Sequence, residues 1–292
     1  MKLPIIKSAI IAGGLALGAS SAHAGDALTV VSWGGAYTKS QIEAYHKPYT
    51  AKYGTKIQSE DYNGGLAEIR AQVEAGKITW DVVDLEVSDA ARGCDDGLFE
   101  KISAGSLPNG VNGALPSKDF IPGALQECAV GTIVWSTIYA YDADKYKSKK
   151  PTTISDFFDV KKFPGKRGMR KVPKVNLEWA LMADGVDGKD VYKVLATKAG
   201  QDRAFKKLDT IKNDVLWWEA GAQPPQMLAD GEVVMTSAYN GRIFNAAVTE
   251  KKNFEIVWDR QLFSFDLYAI IKGTPRLKEA LRYVQFSTAS EQ

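Results

Sequence analysis

Apolar and polar positions along the chain alternate between two periods. A β-branched run, Leu28-Thr29-Val30-Val31-Ser32-Trp33, reads as a strand. Lys39 to Tyr53 has amphipathic helical spacing, Thr55 to Tyr62 reads as strand, Leu66 to Ala75 as helix and Asp81 to Glu86 as strand. Strands separated by helical segments of this length predict a parallel, doubly wound α/β lobe with right-handed crossovers. Ser88 is placed to cap the next helix and Gly97 to stop it.

From Val130 to Tyr141 the apolar and aromatic run is too long for one ordinary strand, so it is expected to cross between lobes. A second alternation follows, with helix over Ile154–Phe158, strand over Gly168–Lys171, helix over Leu177–Met182 and Lys189–Leu208, and strand over Val233–Ala238. Phe263 to Lys272 is the candidate return crossing. Two crossings predict a two-lobed α/β protein with a hinge and a ligand cleft. The first lobe takes residues 25–134 and 264–292, and the second takes 135–263.

The most informative local pattern closes the first strand: Trp33-Gly34-Gly35-Ala36-Tyr37 places two rings and free backbone N–H groups at a strand's carboxyl end. Open α/β sheets hold their ligands there. Gly64-Gly65, before a helix, reads either as a simple turn or as an anion cradle.

Composition and charge narrow the partner. Met1 to Ala24 has Lys2 and Lys7 in front, an apolar stretch over Ala9–Leu17 and an Ala22-His23-Ala24 end, the three parts of a secretory signal peptide cleaved after Ala24. The apolar stretch is shorter than the roughly 20 residues a membrane-spanning helix needs. Loss of this segment leaves 35 of the 37 basic residues against 35 acidic ones. A neutral surface offers no electrostatic footprint for nucleic acid, so a small molecule is the expected partner. Cys94 and Cys128 are the only cysteines; in an exported chain they read as a disulfide, with two separate buried thiols as the alternative.

The strand ending Ser32-Trp33-Gly34-Gly35-Ala36-Tyr37, the Trp80-Asp81-Val82-Val83-Asp84 strand, Ser237-Ala238-Tyr239-Asn240-Gly241-Arg242 and Phe263-Ser264-Phe265-Asp266-Leu267-Tyr268-Ala269-Ile270 together resemble the periplasmic substrate-binding proteins of ABC importers. The resemblance is to the polyamine group that includes spermidine and putrescine binders, and it runs the length of the chain. It implies the type II periplasmic binding fold, a monomeric receptor in the periplasm, an inner-membrane ABC permease as partner, and no cofactor. By position it implies an aromatic pair at Trp33 and Tyr37, a second-lobe aromatic at Tyr239 and an ammonium-binding acid at Asp266. Glu86 and Ser88 lie in a loop that faces the cleft in this family, and Glu178 matches an acidic position only loosely. The family continues beyond Gln292, so the chain is expected to be cut short at its C-terminus, leaving apolar surface uncovered.

The chemistry of this set stands without the family. An alkylammonium gains about 0.5 to 2 kcal/mol over an aromatic face, and a buried cation needs a carboxylate partner. Each residue has a structural alternative: Trp33, Tyr37 and Tyr239 as packing aromatics, Asp266 as a hinge ion pair. Arg242 decides the ligand. Pointing inward, it repels a polyamine and clamps the carboxylate of an ω-amino acid such as γ-aminobutyrate; pointing outward, it leaves the polyamine reading intact. Trp217 and Trp218 read equally as cleft edge or core, while Trp80, Trp135, Trp179 and Trp258 read as core or lobe interface.

Two other classes compete. An exported enzyme is disfavoured because the chain after Ala24 has one histidine, His46, read as a packing or surface residue, and no Gly-x-Ser-x-Gly elbow. Metal-ligand spacing is missing too, with no His-Glu-x-x-His and the cysteines far apart. A ferric-ion binder is the closer rival, since Tyr139 and Tyr141 alternate on one strand face, but no adjacent tyrosine pair occurs.

Overall fold

The computed structural model describes residues 27–292; the signal segment and its cleavage site lie outside the described residues. Eight strands form one hydrogen-bonded sheet: β1 (Leu28–Ser32), β2 (Ile57–Asp61), β3 (Val82–Glu86), β4 (Ala129–Asp142), β5 (Arg167–Arg170), β6 (Val215–Trp218), β7 (Met235–Tyr239) and β8 (Phe254–Ile270). Their order is β2-β1-β3-β8-β4-β7-β5-β6. β1 runs parallel to β2 and β3, and β5 runs parallel to β6 and β7. These are the two doubly wound lobes. The antiparallel pair β4 and β8, 14 and 17 residues long, joins them.

Burial explains why the strands form where they do. Every residue of β1 and β3 is buried, as strands covered by helices on both faces must be. Val31, Val83 and Leu85 pack with Ile69 and Phe99 on one face, while Val30, Val82 and Tyr268 pack with Tyr49 and Tyr283 on the other. In the second lobe Phe157, Phe163, Met169 and Trp179 fill one face, and Trp218, Leu228 and Ile243 the other. Midway along β4, exposed Ile133 and Val134 mark the crossing, and the pairing with β8 shifts register between Gly131 and Ile133 and again between Thr137 and Tyr139. Such irregularities bend a strand locally.

Several sequence expectations are corrected. The first helical segment starts at Gly35, not Lys39, and runs as Gly35–Gln41, a π-turn Ile42–His46 and Lys47–Tyr53. The stretch from Lys189 to Leu208 is broken, because the Thr197 hydroxyl caps a separate helix, Lys198–Asp209, by accepting from the Gly200 amide. The return strand begins at Phe254 instead of Phe263; its charged residues Asp259 and Arg260 hide it from an apolar reading. Glu86, not Ser88, is the N-cap residue of helix Val87–Asp95. Trp258 is half exposed and not core, whereas Trp80 and Trp179 are buried. Trp218 is buried and Trp217 is half exposed.

Cys94 and Cys128 are disulfide-bonded, with Cα atoms 5.7 Å apart and a sequence separation of 34. The bond ties helix Val87–Asp95 to the start of β4. Closing a loop of this size stabilises a domain by about 3 to 4 kcal/mol in the chain-entropy treatment. Replacing both cysteines by serine is therefore expected to lower the urea midpoint markedly, and an unchanged midpoint contradicts that assignment.

Candidate functional site

A cavity of about 360 Å³ opens between the lobes. The first lobe contributes Trp33, Tyr37 and Glu86, the second Tyr239 and Arg242, and the crossing strands Trp135 and Asp266. Six of the seven candidate ligand residues thus line one space. Ser88 does not; its hydroxyl accepts from Lys174 Nζ at 3.0 Å. Glu178 is buried in helix Asn176–Ala183, away from the cavity lining.

The turn after β1 builds the first wall. Gly34 and Gly35 both have positive φ, 72° and 58°, a conformation that suits glycine. A Cβ on Gly35 would sit 2.7 Å from Arg242 Nη1, so a missing side chain makes room for the guanidinium. Gly64 and Gly65, also at positive φ, lie in an irregular stretch before helix Ala67–Ala75; Gly64 lies against the Trp33 ring and the Gly65 amide donates to Asp89 Oδ2 at 3.2 Å. The Tyr62 ring stacks obliquely on Trp33 at 5.0 Å between centroids. Tyr37 turns its hydroxyl down into the lobe, donating to Asp84 Oδ2 at 2.7 Å.

Asp266 on β8 is the direct register partner of Glu86 on β3. Its Oδ1 accepts from Trp135 Nε1 at 2.8 Å, and the Trp135 ring meets Tyr239 edge-on at 5.0 Å. Trp135 is therefore a cleft residue that sequence reading placed in the core or lobe interface. Burial, and then the neighbouring Asp84, push the Asp266 carboxyl well above the usual range. Glu86 behaves oppositely: burial pulls it up, but Lys174 and Arg170 outweigh this and hold it low. Arg170 Nη1 donates to Glu86 Oε1 at 2.7 Å, and Lys174 binds the other oxygen.

Arg242 points inward. It is 7% exposed and donates Nη2 to the Trp33 carbonyl at 2.9 Å. Among the described residues it pairs with no carboxylate, and burial lowers its pKa from the usual arginine value. Second-lobe to first-lobe links, Arg242 to Trp33, Arg170 to Glu86 and to the Asn63 carbonyl, and Lys174 to Glu86 and Ser88, hold the cleft closed. Among the described residues the site thus presents a guanidinium and a carboxylate that each lack an ion-pair partner, with aromatic walls, a set suited to a molecule with charge of both signs.

Arg170, Lys174 and Asp84 were missed. The first two sit in a basic stretch, Lys166 to Lys174, of which only Gly168–Lys171 was read, as a strand. Asp84 stands between Val83 and Leu85, an acid inside an apolar strand, and that was its available signal. The tyrosines proposed for iron lie in the second-lobe core instead: Tyr139 donates to the Thr153 carbonyl and Tyr141 to Glu255. His46 is buried beside Tyr283, with burial lowering its pKa to about 4.

Residues 44–292 match the family described as bacterial extracellular solute-binding protein. The chain is 46% identical over 275 residues to a γ-aminobutyric acid-binding protein of Pseudomonas aeruginosa, covering 94% of this chain and 76% of that relative. Its fold is similar to that of MotA from A. tumefaciens B6, solved with glucopine, with a TM-score of 0.83, 31% identity, and coverage of 91% of this chain and 79% of that one. A solved GABA receptor is similar with a TM-score of 0.76 and 31% identity, covering 91% of this chain and 78% of that one. A lobed fold, a cleft of mixed charge and these relatives agree: the chain belongs to the bacterial extracellular solute-binding protein family.

Proposed function

We propose that the protein is a periplasmic receptor that captures an ω-amino acid of the γ-aminobutyrate type and presents its closed form, as a monomer, to an inner-membrane ABC permease. The inward, unpaired Arg242 carries this reading. A polyamine brings only positive ends, and a desolvated guanidinium facing them is repulsive. A zwitterion places its carboxylate on Arg242 and its ammonium on Asp266, with Trp33, Tyr37 and Tyr239 as walls. Glu86 and Ser88 serve closure by holding Arg170 and Lys174. Because the ligand touches both lobes, it binds the closed state better than the open one and shifts the equilibrium toward it. The relatives that carry γ-aminobutyrate in their names support the same class.

The 360 Å³ cavity favours a second reading. A four-carbon amino acid fills only part of it, so a larger amine-carboxylate conjugate of the glucopine kind is the competing ligand. A thermal-shift series with γ-aminobutyrate, putrescine and glucopine separates these readings. Ligand at a hundredfold above Kd stabilises by about 2.7 kcal/mol. γ-Aminobutyrate is expected to give the largest rise in Tm; a rise with putrescine alone overturns the zwitterion reading.

A further inference from the structure

Two acids three residues apart, Asp81 just before β3 and Asp84 within it, are treated very differently. Asp81 accepts from the Thr29 amide at 2.8 Å, from Arg276 Nε at 2.7 Å and from the Thr274 hydroxyl. Its charge is balanced. Asp84 is fully buried and, among the described residues, meets no cation: Tyr37 and Gln41 donate to Oδ2 at 2.7 and 2.5 Å, and Oδ1 has no hydrogen-bond partner among them.

Strand register brings Asp84 beside the cleft acid. Asp84 pairs with Tyr268 and Glu86 with Asp266, and alternate residues share a face, so Asp84 and Asp266 are diagonal neighbours on one face. Hydroxyls lead from Asp84 to the main chain of Asp266. Tyr37 Oη lies 3.5 Å from Thr132 Oγ1, which donates to the Asp266 carbonyl at 3.2 Å. Two carboxylates in such surroundings do not both ionise without a cation.

We infer that Asp84 is a positioning acid behind the ammonium subsite: with no cation in the cleft it shares one proton with Asp266, and docking of an ammonium on Asp266 releases that proton to solvent. The inference rests on the amine reading of the ligand given above. It makes the site selective for a cation by exchange, since a neutral isostere displaces no proton.

Among the described residues no cation forms an ion pair with Asp84 or Asp266; Arg170 and Arg242 act on Asp266 only across space, and burial and Asp84 outweigh Arg170. Glu86, on β3, is held by Arg170 from β5 and Lys174 from the loop after it. Arg242 faces Asp266 from helix Asn240–Val248 but is held on the Trp33 carbonyl. Asp89 adds negative charge near Tyr62, and Asp61 near Arg242. The tyrosines around Asp84, namely Tyr37, Tyr45, Tyr62, Tyr268 and Tyr283, are kept neutral, all with raised pKa values caused first by burial. Burial likewise pushes Asp84 up to about 7.

The test has a ligand-free arm and a binding arm. In carbon-13 NMR of the free protein, an aspartate carboxyl is expected to titrate above about pH 6, well outside the ordinary aspartate range. In Asp84→Asn the remaining Asp266 signal titrates at least about one pH unit lower. Calorimetry with γ-aminobutyrate at pH 7, in phosphate and in Tris, is expected to register proton release in the wild type and none in Asp84→Asn. Between the variant's lower midpoint and the wild-type one, wild-type affinity rises up to about tenfold per pH unit, whereas the variant's is flat. Ordinary titration of every aspartate in the free wild type overturns the proposal, as does equal proton release by both proteins. The wild-type titration decides even where the variant fails to fold. If putrescine binds with proton release and γ-aminobutyrate does not bind, the zwitterion reading fails and the shared proton stands.

Discussion

Replacing Arg242 by alanine is expected to weaken γ-aminobutyrate binding at least about thirtyfold while putrescine binding is unchanged or tighter. The guanidinium is desolvated, spends one N–H on the Trp33 carbonyl and keeps the rest of its donor fork for the cleft. Truncating one partner of a buried, hydrogen-bonded charge pair costs about 2 to 5 kcal/mol, which corresponds to roughly thirtyfold to several thousandfold in Kd. Arg242→Lys is expected to fall between, since a point charge cannot reproduce bidentate contact with a carboxylate. The dication supplies the control: losing a buried positive charge removes repulsion. Calorimetry with both ligands reads the result, and γ-aminobutyrate affinity within threefold of wild type removes Arg242 from the site.

Much of this arrangement is legible in the sequence, for reasons that differ by element. β1 and β3 announce themselves because both faces are buried, which forces near-continuous apolar runs. The aromatic-glycine turn after β1 is legible because positive φ and close approach to Arg242 both select glycine there. β8 is half hidden: the residues from Asp259 to Gln261 leave the apolar pattern as the strand reaches the crossing. Trp135 sits in an unbroken apolar run, and only its bond to Asp266, near its register partner Ser264, moves it to the cleft. The orientation of Arg242 was open in sequence because its helix places it by tertiary packing against Trp33 and Gly35, 207 and more residues away in the chain. Arg170 and Lys174 were illegible for the same reason: a basic stretch becomes a cross-lobe clasp only when Glu86 arrives from the other lobe.

Asp266→Asn is expected to weaken both γ-aminobutyrate and putrescine, each by about thirtyfold or more, and so to differ from Arg242→Ala in sparing neither ligand. The amide keeps an oxygen for the Trp135 indole, so the 2.8 Å bond and the aromatic wall it positions are retained. What is lost is the charge that an ammonium needs once it leaves water. The same substitution is expected to stabilise the free protein at neutral and alkaline pH. A carboxyl whose folded pKa is raised contributes stability that is complete below its unfolded value and is lost as pH rises through the folded one. Asp266 is such a group, raised by burial and by Asp84, so removing its charge removes that loss. Thermal melts of the ligand-free proteins from about pH 5 to 8 should show the wild type falling relative to the variant. Weaker binding joined to higher stability identifies an acid kept for its ligand at a cost to the fold; unchanged affinity for both amines shows that the ammonium is held elsewhere.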